Sequence, residues 1–580
     1  MKVNVRKTRE AYETAKAMLL SARKAGGFWV GCLSSSALST ATAVSALCVV
    51  DADRFSGLIA AGVTWLVKHQ NRDGGWGDTV DSPSNLATTM LVQAAFAMAA
   101  SPVVVAEAVE RAEDFLRRMA GTSERQRVDS LRESYGEDRT FAVPILMNCA
   151  LARRVDWDDV PTLPFELARL PRWSFSRLRL HVVSYALPAL IAIGQLIHKR
   201  RPTLNPVLGV LRDASIVPTL NRLIEIQPES GGFLEATPLT SFVVMSLAAA
   251  GRRDHVVTRR GIDFLTASAR DDGSWPIDTN LSTWVTTQAI DALTHAGPLA
   301  EAPALSRWLL DQQHACVHPY TQSQPGGWAW TKLTGGVPDA DDTSGALVAL
   351  AHLGERPDLE AVRAGVRWLI DLQNRDGGWP TFCRGWGKLP FDRSAPDLTA
   401  HAIRAIRLWH GCYHAVKERR AVRRAMHFLS RTQNVDGSWS PLWFGNQFVM
   451  DHASPVYGTA RVLAAMRDLG RTRSTEAQRA VAFLTDARNK DGGWGGAKDV
   501  PSTVEETALA LRALADATRN ATSNDTIARG CRFLVNRISK GELAKPAPIG
   551  LYFASLWYSE KLYPVIWSVA ALGAVLARGS

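Results

Sequence analysis

GVTWLVKHQNRDGGW, Gly62 to Trp76, and GVRWLIDLQNRDGGW, Gly365 to Trp379, lie in opposite halves of the chain and match position for position in their spacing. Each runs from a small residue through Trp-Leu to a glutamine, then through an acidic-glycine turn closed by tryptophan. AMHFLSRTQNVDGSW (Ala425 to Trp439) keeps the glutamine, whereas GIDFLTASARDDGSW (Gly261 to Trp275) and AVAFLTDARNKDGGW (Ala480 to Trp494) lack it. LIEIQPESGGF (Leu223 to Phe233) ends in Phe, WLLDQQHACVHPYTQSQPGGW (Trp308 to Trp328) carries an insertion, and AGGFWVG near Trp29 is a weaker trace.

Each unit reads as an amphipathic helix ending near the glutamine, a glycine turn, and a second apolar helix such as STVEETALALRALADA, Ser502 to Ala517. A period of roughly 50 to 60 residues therefore holds two helices, and such units bury their apolar faces only by stacking. The glutamine amide and the indole are clasps between neighbouring helices. The expected fold is all-α: two α/α toroids, one from residues 24–280, inserted into a second built from 1–23 and 281–580.

Composition agrees with a large helical core. The 580 residues are 46% apolar and 21% charged, with 19 tryptophans and a formal charge of +11. That charge suits nucleic acid, an anionic membrane or an acidic substrate, and does not choose among them. The seven cysteines are scattered without a C-x-x-C pair, so neither a disulfide framework nor a zinc knuckle is expected. No phosphate-loop, dinucleotide or H-E-x-x-H string occurs, and no nucleic-acid motif. The N-terminus is charged throughout and lacks a signal peptide's apolar core, so export is not expected.

VPDADDTSGALVAL, Val337 to Leu350, crowds Asp339, Asp341 and Asp342 ahead of an apolar run. Its plain structural reading is a helix start, with proline before the first turn and acidic residues near the positive end of the dipole. One aspartate would suffice for that. Three in one turn repel one another, so a buried cluster keeps at least one carboxyl protonated at neutral pH. Such an acid, facing an apolar cavity, can protonate an alkene.

D-x-D-D-T together with the Gln-to-Trp repeats resembles the class II terpene cyclases, and most closely the squalene-hopene cyclase family, over nearly the whole chain. The resemblance implies that Asp341 is the acid, with Asp339 and Asp342 flanking it. The family's D-x-T-A-H string is matched by PDLTAH, which supplies Asp397 and His401. His401 would orient the acidic proton and help return it. Aromatic faces would stabilise the cations that follow. Carried over by position, these are Trp330, Trp284, Phe382, Trp443, Tyr185 and Tyr552. The implied activity is cofactor-independent and metal-free: protonation of the terminal alkene of a linear isoprenoid, with squalene as the expected substrate, and cationic polycyclisation to a hopene-type product.

The family also implies a monotopic enzyme on the cytoplasmic face of the cell membrane, and leaves a homodimer open. HVVSYALPALIAIGQLI, His181 to Ile197, within the 170–200 region, is flanked by Arg177 and Arg179 and by Lys199, Arg200 and Arg201. It is short for a span of ~20 residues, so a membrane contact or a buried helix is expected. Two stretches depart from hopene-forming members: TFCRGWGKLPFDRSA is shorter, and LSSSALSTATA has Ser and Thr where they carry acidic residues. Those departures leave open another prenyl substrate, a diphosphate or a prenylated aromatic. Two further alternatives are a protein prenyltransferase β-subunit, for which HACVH (His314 to His318) offers ligand-type residues, and a non-catalytic repeat protein.

Overall fold

The computed structural model describes the chain apart from residues 1–2, 100–101, 137–138, 171–186, 295–296, 298, 300, 320, 383–390, 519–520, 553–555 and 580. It divides into two compact units, one formed by Met1–Cys32, Asn280–Lys332 and Val337–Ser580, the other by Leu33–Thr279 and Leu333–Gly336. The larger unit thus begins its break after Cys32 rather than near residue 24. The reason is Trp29, whose indole N–H donates to the Leu19 carbonyl at 2.7 Å and whose backbone N–H donates to Thr286 Oγ1 at 3.0 Å.

In the larger unit six helices pack in sequence around a closed ring: Ser282–Leu293, Ala340–His352, Pro396–Leu408, Pro455–Asp468, Val504–Ala517 and Tyr563–Gly579, the last returning to the first. They are the inner helices, buried over most of their length, charged residues included. All twelve residues of Ser282–Leu293 are buried, as a helix with no polar face must be. Outer helices alternate with them and are amphipathic. In Ala415–Thr432 burial falls on Glu418, Ala421, Ala425, Phe428 and Leu429, one stripe at helical spacing. The N-terminal helix Val5–Ser21 packs on Tyr563–Gly579 and Ala521–Ser539, joining the two ends of the chain.

The repeat turns clasp these helices. Trp379 Nε1–H donates to the Leu369 carbonyl at 2.8 Å, satisfying one of the orphan acceptors at the end of the outer helix Glu360–Leu372. Gln373 donates to the Gly377 carbonyl at 2.8 Å and to the Ala421 carbonyl of the next outer helix at 2.9 Å. Gly377 has φ +98°, and a Cβ there would meet the Arg424 carbonyl oxygen at 2.5 Å, so only glycine lets the turn approach its neighbour. Finally the Trp379 backbone N–H donates to Thr399 Oγ1, on the following inner helix, at 3.0 Å.

In the smaller unit the inner helices are Ala37–Asp51, Leu86–Ala99, Arg139–Leu151, Leu187–Arg200 and Thr237–Ala249, which pack in that order and back to the first. The same clasps recur at Trp76 and Trp275, whose indoles donate to Leu66 and Leu265. Residues 187–197 are nearly all buried in this core. The part of the His181–Ile197 run that the structure describes is therefore packing and not an outer surface. No helix among the described residues is long and apolar enough to cross a membrane.

Replacing Trp379 by Ala removes a fully buried indole and a clasp bond together. We expect a loss of about 3–5 kcal/mol in chemical denaturation, and a loss under about 1 kcal/mol would contradict the clasp role.

Candidate active site

The acid helix, Ala340–His352, starts where it does because Asp339 caps it. With φ −136° and ψ 169°, Asp339 turns its Oδ1 back to accept the amides of Asp341 and Asp342, both at 2.8 Å. Its own N–H donates to the Trp328 carbonyl, and Thr343 Oγ1 accepts the Trp328 amide at 3.0 Å. Two hydrogen bonds from one turn thus fix the register of residues 339–343. Asp339 and Asp342 are buried, while the Asp341 side chain keeps 18% exposure.

On the adjacent inner helix Pro396–Leu408, Nδ1 of His401 lies 2.5 Å from Asp341 Oδ1. Asp397, one turn before His401, is buried, accepts the Leu442 amide at 3.4 Å through Oδ2, and has no partner on Oδ1. The structure therefore brings Asp339, Asp341, Asp342, Asp397 and His401 to one end of one ring.

Burial raises the carboxyls of this cluster. Asp397 is pushed up to about 7 by burial and then by the Asp341 charge. Asp339 is also raised to about 7 by burial, offset in part by its hydrogen bonds from Asp342 and Asp341. Asp342 goes well above the usual carboxylate range through burial and the Asp339 charge beside it, so it holds the proton of that pair. His401 moves the other way: burial lowers it more than Asp341 raises it, and it is neutral near pH 7.

The cluster borders a hollow of about 90 Å³, walled mainly by carbon and lined by Leu281, Trp284, Trp330, Asp339, Asp341, Asp342, Thr381, Phe382, Trp443, Phe444, Leu551, Tyr552 and Tyr558. Trp284, Trp330, Phe382, Trp443 and Tyr552, singled out from the sequence, all line it. Tyr185 lies outside the described residues. His401 and Asp397 stand behind the wall.

Sequence reading missed Phe444 and Tyr558 in the lining, and Tyr457 and Arg461 behind it. Tyr558 comes from a short antiparallel pair, Gly550–Tyr552 with Leu556–Tyr558, which two apolar triplets hardly announce. Phe444 stacks on Tyr457 with centroids 4.1 Å apart. A signal for Tyr457 did exist. It stands two residues before Thr459, which takes the Trp439 amide at 3.0 Å, just as Asp341 precedes Thr343, Asp397 precedes Thr399, and Trp284 precedes Thr286.

A closed ring of helix pairs with a buried, partly protonated aspartate cluster at an aromatic hollow defines a class II terpene cyclase. The model of the squalene-hopene cyclase C-terminal domain matches residues 1–131 and 281–576. The chain belongs to the squalene-hopene cyclase family. It is 24% identical to a probable squalene–hopene cyclase of Sinorhizobium fredii, over 87% of each chain. It is 26% identical to enfumafungin synthase of Hormonema carpetanum over 85% of this chain, which spans only 42% of that relative's length. A drimenyl diphosphate synthase of Streptantibioticus cattleyicolor is 31% identical over 44% of this chain and 46% of its own. The solved type II terpene cyclase MstE from Scytonema aligns with TM-score 0.39 and 18% identity, over 52% of this chain and 88% of that one.

A carboxyl raised on folding binds more protons in the native than in the unfolded state between its unfolded and folded values. Stability therefore falls as pH rises through that window, about 4 to 7 for Asp397. Relative to Asp397→Asn, the wild type should lose up to about 1.4 kcal/mol per pH unit until pH 7 and then level off. Urea denaturation of both proteins at pH 5, 6, 7 and 8 reads this, and parallel stability curves would contradict it.

Proposed function

We propose that this chain cyclises a linear isoprenoid by protonating its terminal alkene, that Asp341 is the acid, and that squalene is the substrate. The observation that carries the reading is the position of the Asp341 carboxyl, shared between the Nδ1 of a neutral His401 and an aromatic hollow. The carboxyl O–H bond breaks toward the alkene, the π pair forms a new C–H bond, and a tertiary cation remains. Each ring then closes as the next π bond attacks the cation. Asp341 is left as a carboxylate in the first turn of its helix, where the positive end of the dipole favours it. His401 steadies that carboxylate. Trp284, Trp330, Phe382 and Trp443 present faces that stabilise cations without adding to them. Loss of a proton or capture of water ends the cascade.

A prenyl diphosphate is the second reading, favoured by the 31% identity to a drimenyl diphosphate synthase. Incubating the protein with squalene, farnesyl diphosphate and geranylgeranyl diphosphate, with mass spectrometry of the extracts, separates the two. Asp341→Asn should lower product formation by at least about 10³-fold with an unchanged thermal melt. Residual turnover near wild type would remove Asp341 from the role.

We further propose that the protein works at the cytoplasmic face of the cell membrane, where such a substrate is dissolved. The support is a stripe on the helix Pro206–Ile226: Val207, Val210, Leu211 and Val217 lie on one helical face with exposures of 78, 70, 46 and 64%, next to fully exposed Leu204. Exposed Lys199 and Arg200 stand near its start. Together they suit an anionic lipid surface. Val207→Glu with Val210→Glu should weaken flotation with phosphatidylglycerol vesicles by about tenfold or more. Unchanged flotation would show that the stripe does not meet lipid.

A further inference from the structure

Arg461 is a charged group behind the hollow that the steps above leave unused. It sits on the inner helix Pro455–Asp468 with only 8% of its surface exposed. Its Nη2 lies 3.3 Å from His401 Nδ1, the nitrogen that Asp341 touches at 2.5 Å. The guanidinium and the Asp341 carboxyl are therefore within about 6 Å of each other. The Trp284 ring centroid lies 5.9 Å from the guanidinium carbon and the Tyr457 ring centroid 5.8 Å, so two aromatic rings border it. Gln288 Oε1 accepts a further N–H at 3.4 Å.

What it lacks is a carboxylate. Among the described residues none lies within ion-pairing distance of Arg461. The neighbouring buried Arg404 is, by contrast, paired with Asp468 at 2.7 Å and Asp291 at 3.4 Å. A buried charge without a direct partner is costly. Here the missing partner is one that turnover creates.

On the reading that Asp341 protonates an alkene, we propose that Arg461 is a positioning residue that holds His401 and supplies the fixed positive charge that balances the Asp341 carboxylate left after proton transfer. Before turnover Arg461 has hydrogen bonds to His401 and Gln288 but no ion pair among the described residues. Once the proton has gone, the negative charge appears within reach of a guanidinium already oriented by two rings, so nothing need reorganise. Being buried behind His401 and absent from the lining, Arg461 keeps its charge away from the cation growing in the hollow. Burial is the main cause that lowers His401, and the Arg461 charge adds to it in the same direction. The other groups bearing on Arg461 and His401 are Asp397 and Arg404 on the helix of His401, Asp291 on Ser282–Leu293, and Tyr457 on the helix of Arg461.

The test compares Arg461→Met and Arg461→Gln, which remove the charge, with Arg461→Lys, which keeps it. Both neutral variants should lose about 10²-fold in kcat, and their rates should persist to higher pH than wild type, because the cluster holds its proton longer without the cation. Arg461→Lys should stay within about tenfold of wild type with the wild-type pH limb. A merely structural arginine would lower the rate without moving that limb, and this result would overturn the proposal. A substrate-free readout separates this from the cyclase reading: in ¹⁵N-histidine-labelled protein, assigned through His401→Gln, the His401 protonation midpoint should rise in Arg461→Met. An unmoved midpoint sinks the role of Arg461 alone. A wild type that cyclises no isoprenoid sinks the cyclase reading, whatever His401 does. Should the neutral variants not fold, Arg461→Lys decides, since a pH limb displaced despite the retained charge would also refute the assignment.

Discussion

A backbone amide on each turn tryptophan donates to a threonine hydroxyl on the next inner helix, and the chemistry of the larger unit depends on that hydrogen bond. Trp328 meets Thr343, Trp379 meets Thr399, Trp439 meets Thr459 and Trp494 meets Thr507, all at 2.9–3.0 Å. Each bond pins one inner helix near its first turn, so equivalent residues of successive repeats arrive at equivalent depths. Two residues before each threonine stand Asp341, Asp397, Tyr457 and Glu505. The first is the candidate proton donor itself, and Asp397 and Tyr457 are two of its buried neighbours. The candidate acid is thus one instance of a register that the scaffold repeats, with its side chain changed.

The same geometry sets a conflict of charges at this end of the ring. Inner helices begin here, and their N-termini favour anions. Burial disfavours the same anions, which is why Asp339 and Asp397 are raised to about 7. Neither effect wins outright, and the result is a set of carboxyls that hold protons near neutrality yet leave a stabilised conjugate base. At the opposite ends of the helices the charges are settled: Asp291 is paired with Arg404 and Arg512, which hold it well below the usual range despite burial. Fixed ion pairs there tie four inner helices together. Unfixed protons here leave room for reaction.

Much of this was readable along the chain. Glutamine, glycine and tryptophan at constant spacing announce clasped helix pairs, because each residue type answers a backbone need at a fixed distance from it. Asp339, Asp341, Asp342, Asp397 and His401 were readable through two short strings. Arg461 was not, since its meaning comes from a helix one repeat away packing against His401. Tyr558 reaches the hollow from a two-strand turn too short to leave a periodic trace. The apolar run ending at Ile197 left a membrane contact and a buried helix both open, because hydropathy does not distinguish a helix facing a protein core from one facing lipid; the described residues of that run face the core.

Local constraints, then, are written in the chain itself: helix pairs, their turns, and the crowding of three carboxylates at one helix start follow from neighbours within a few residues. Closure of the rings is what assigns those groups their surroundings. Only when Pro396–Leu408 packs beside Ala340–His352 does His401 reach Asp341. Only then are Asp339, Asp342 and Asp397 removed from water, and only then does the Arg461 guanidinium come to lie against His401 with no carboxylate in ion-pairing distance among the described residues. Desolvation and through-space charge are properties of the assembled ring, and they turn a run of aspartates into an acid.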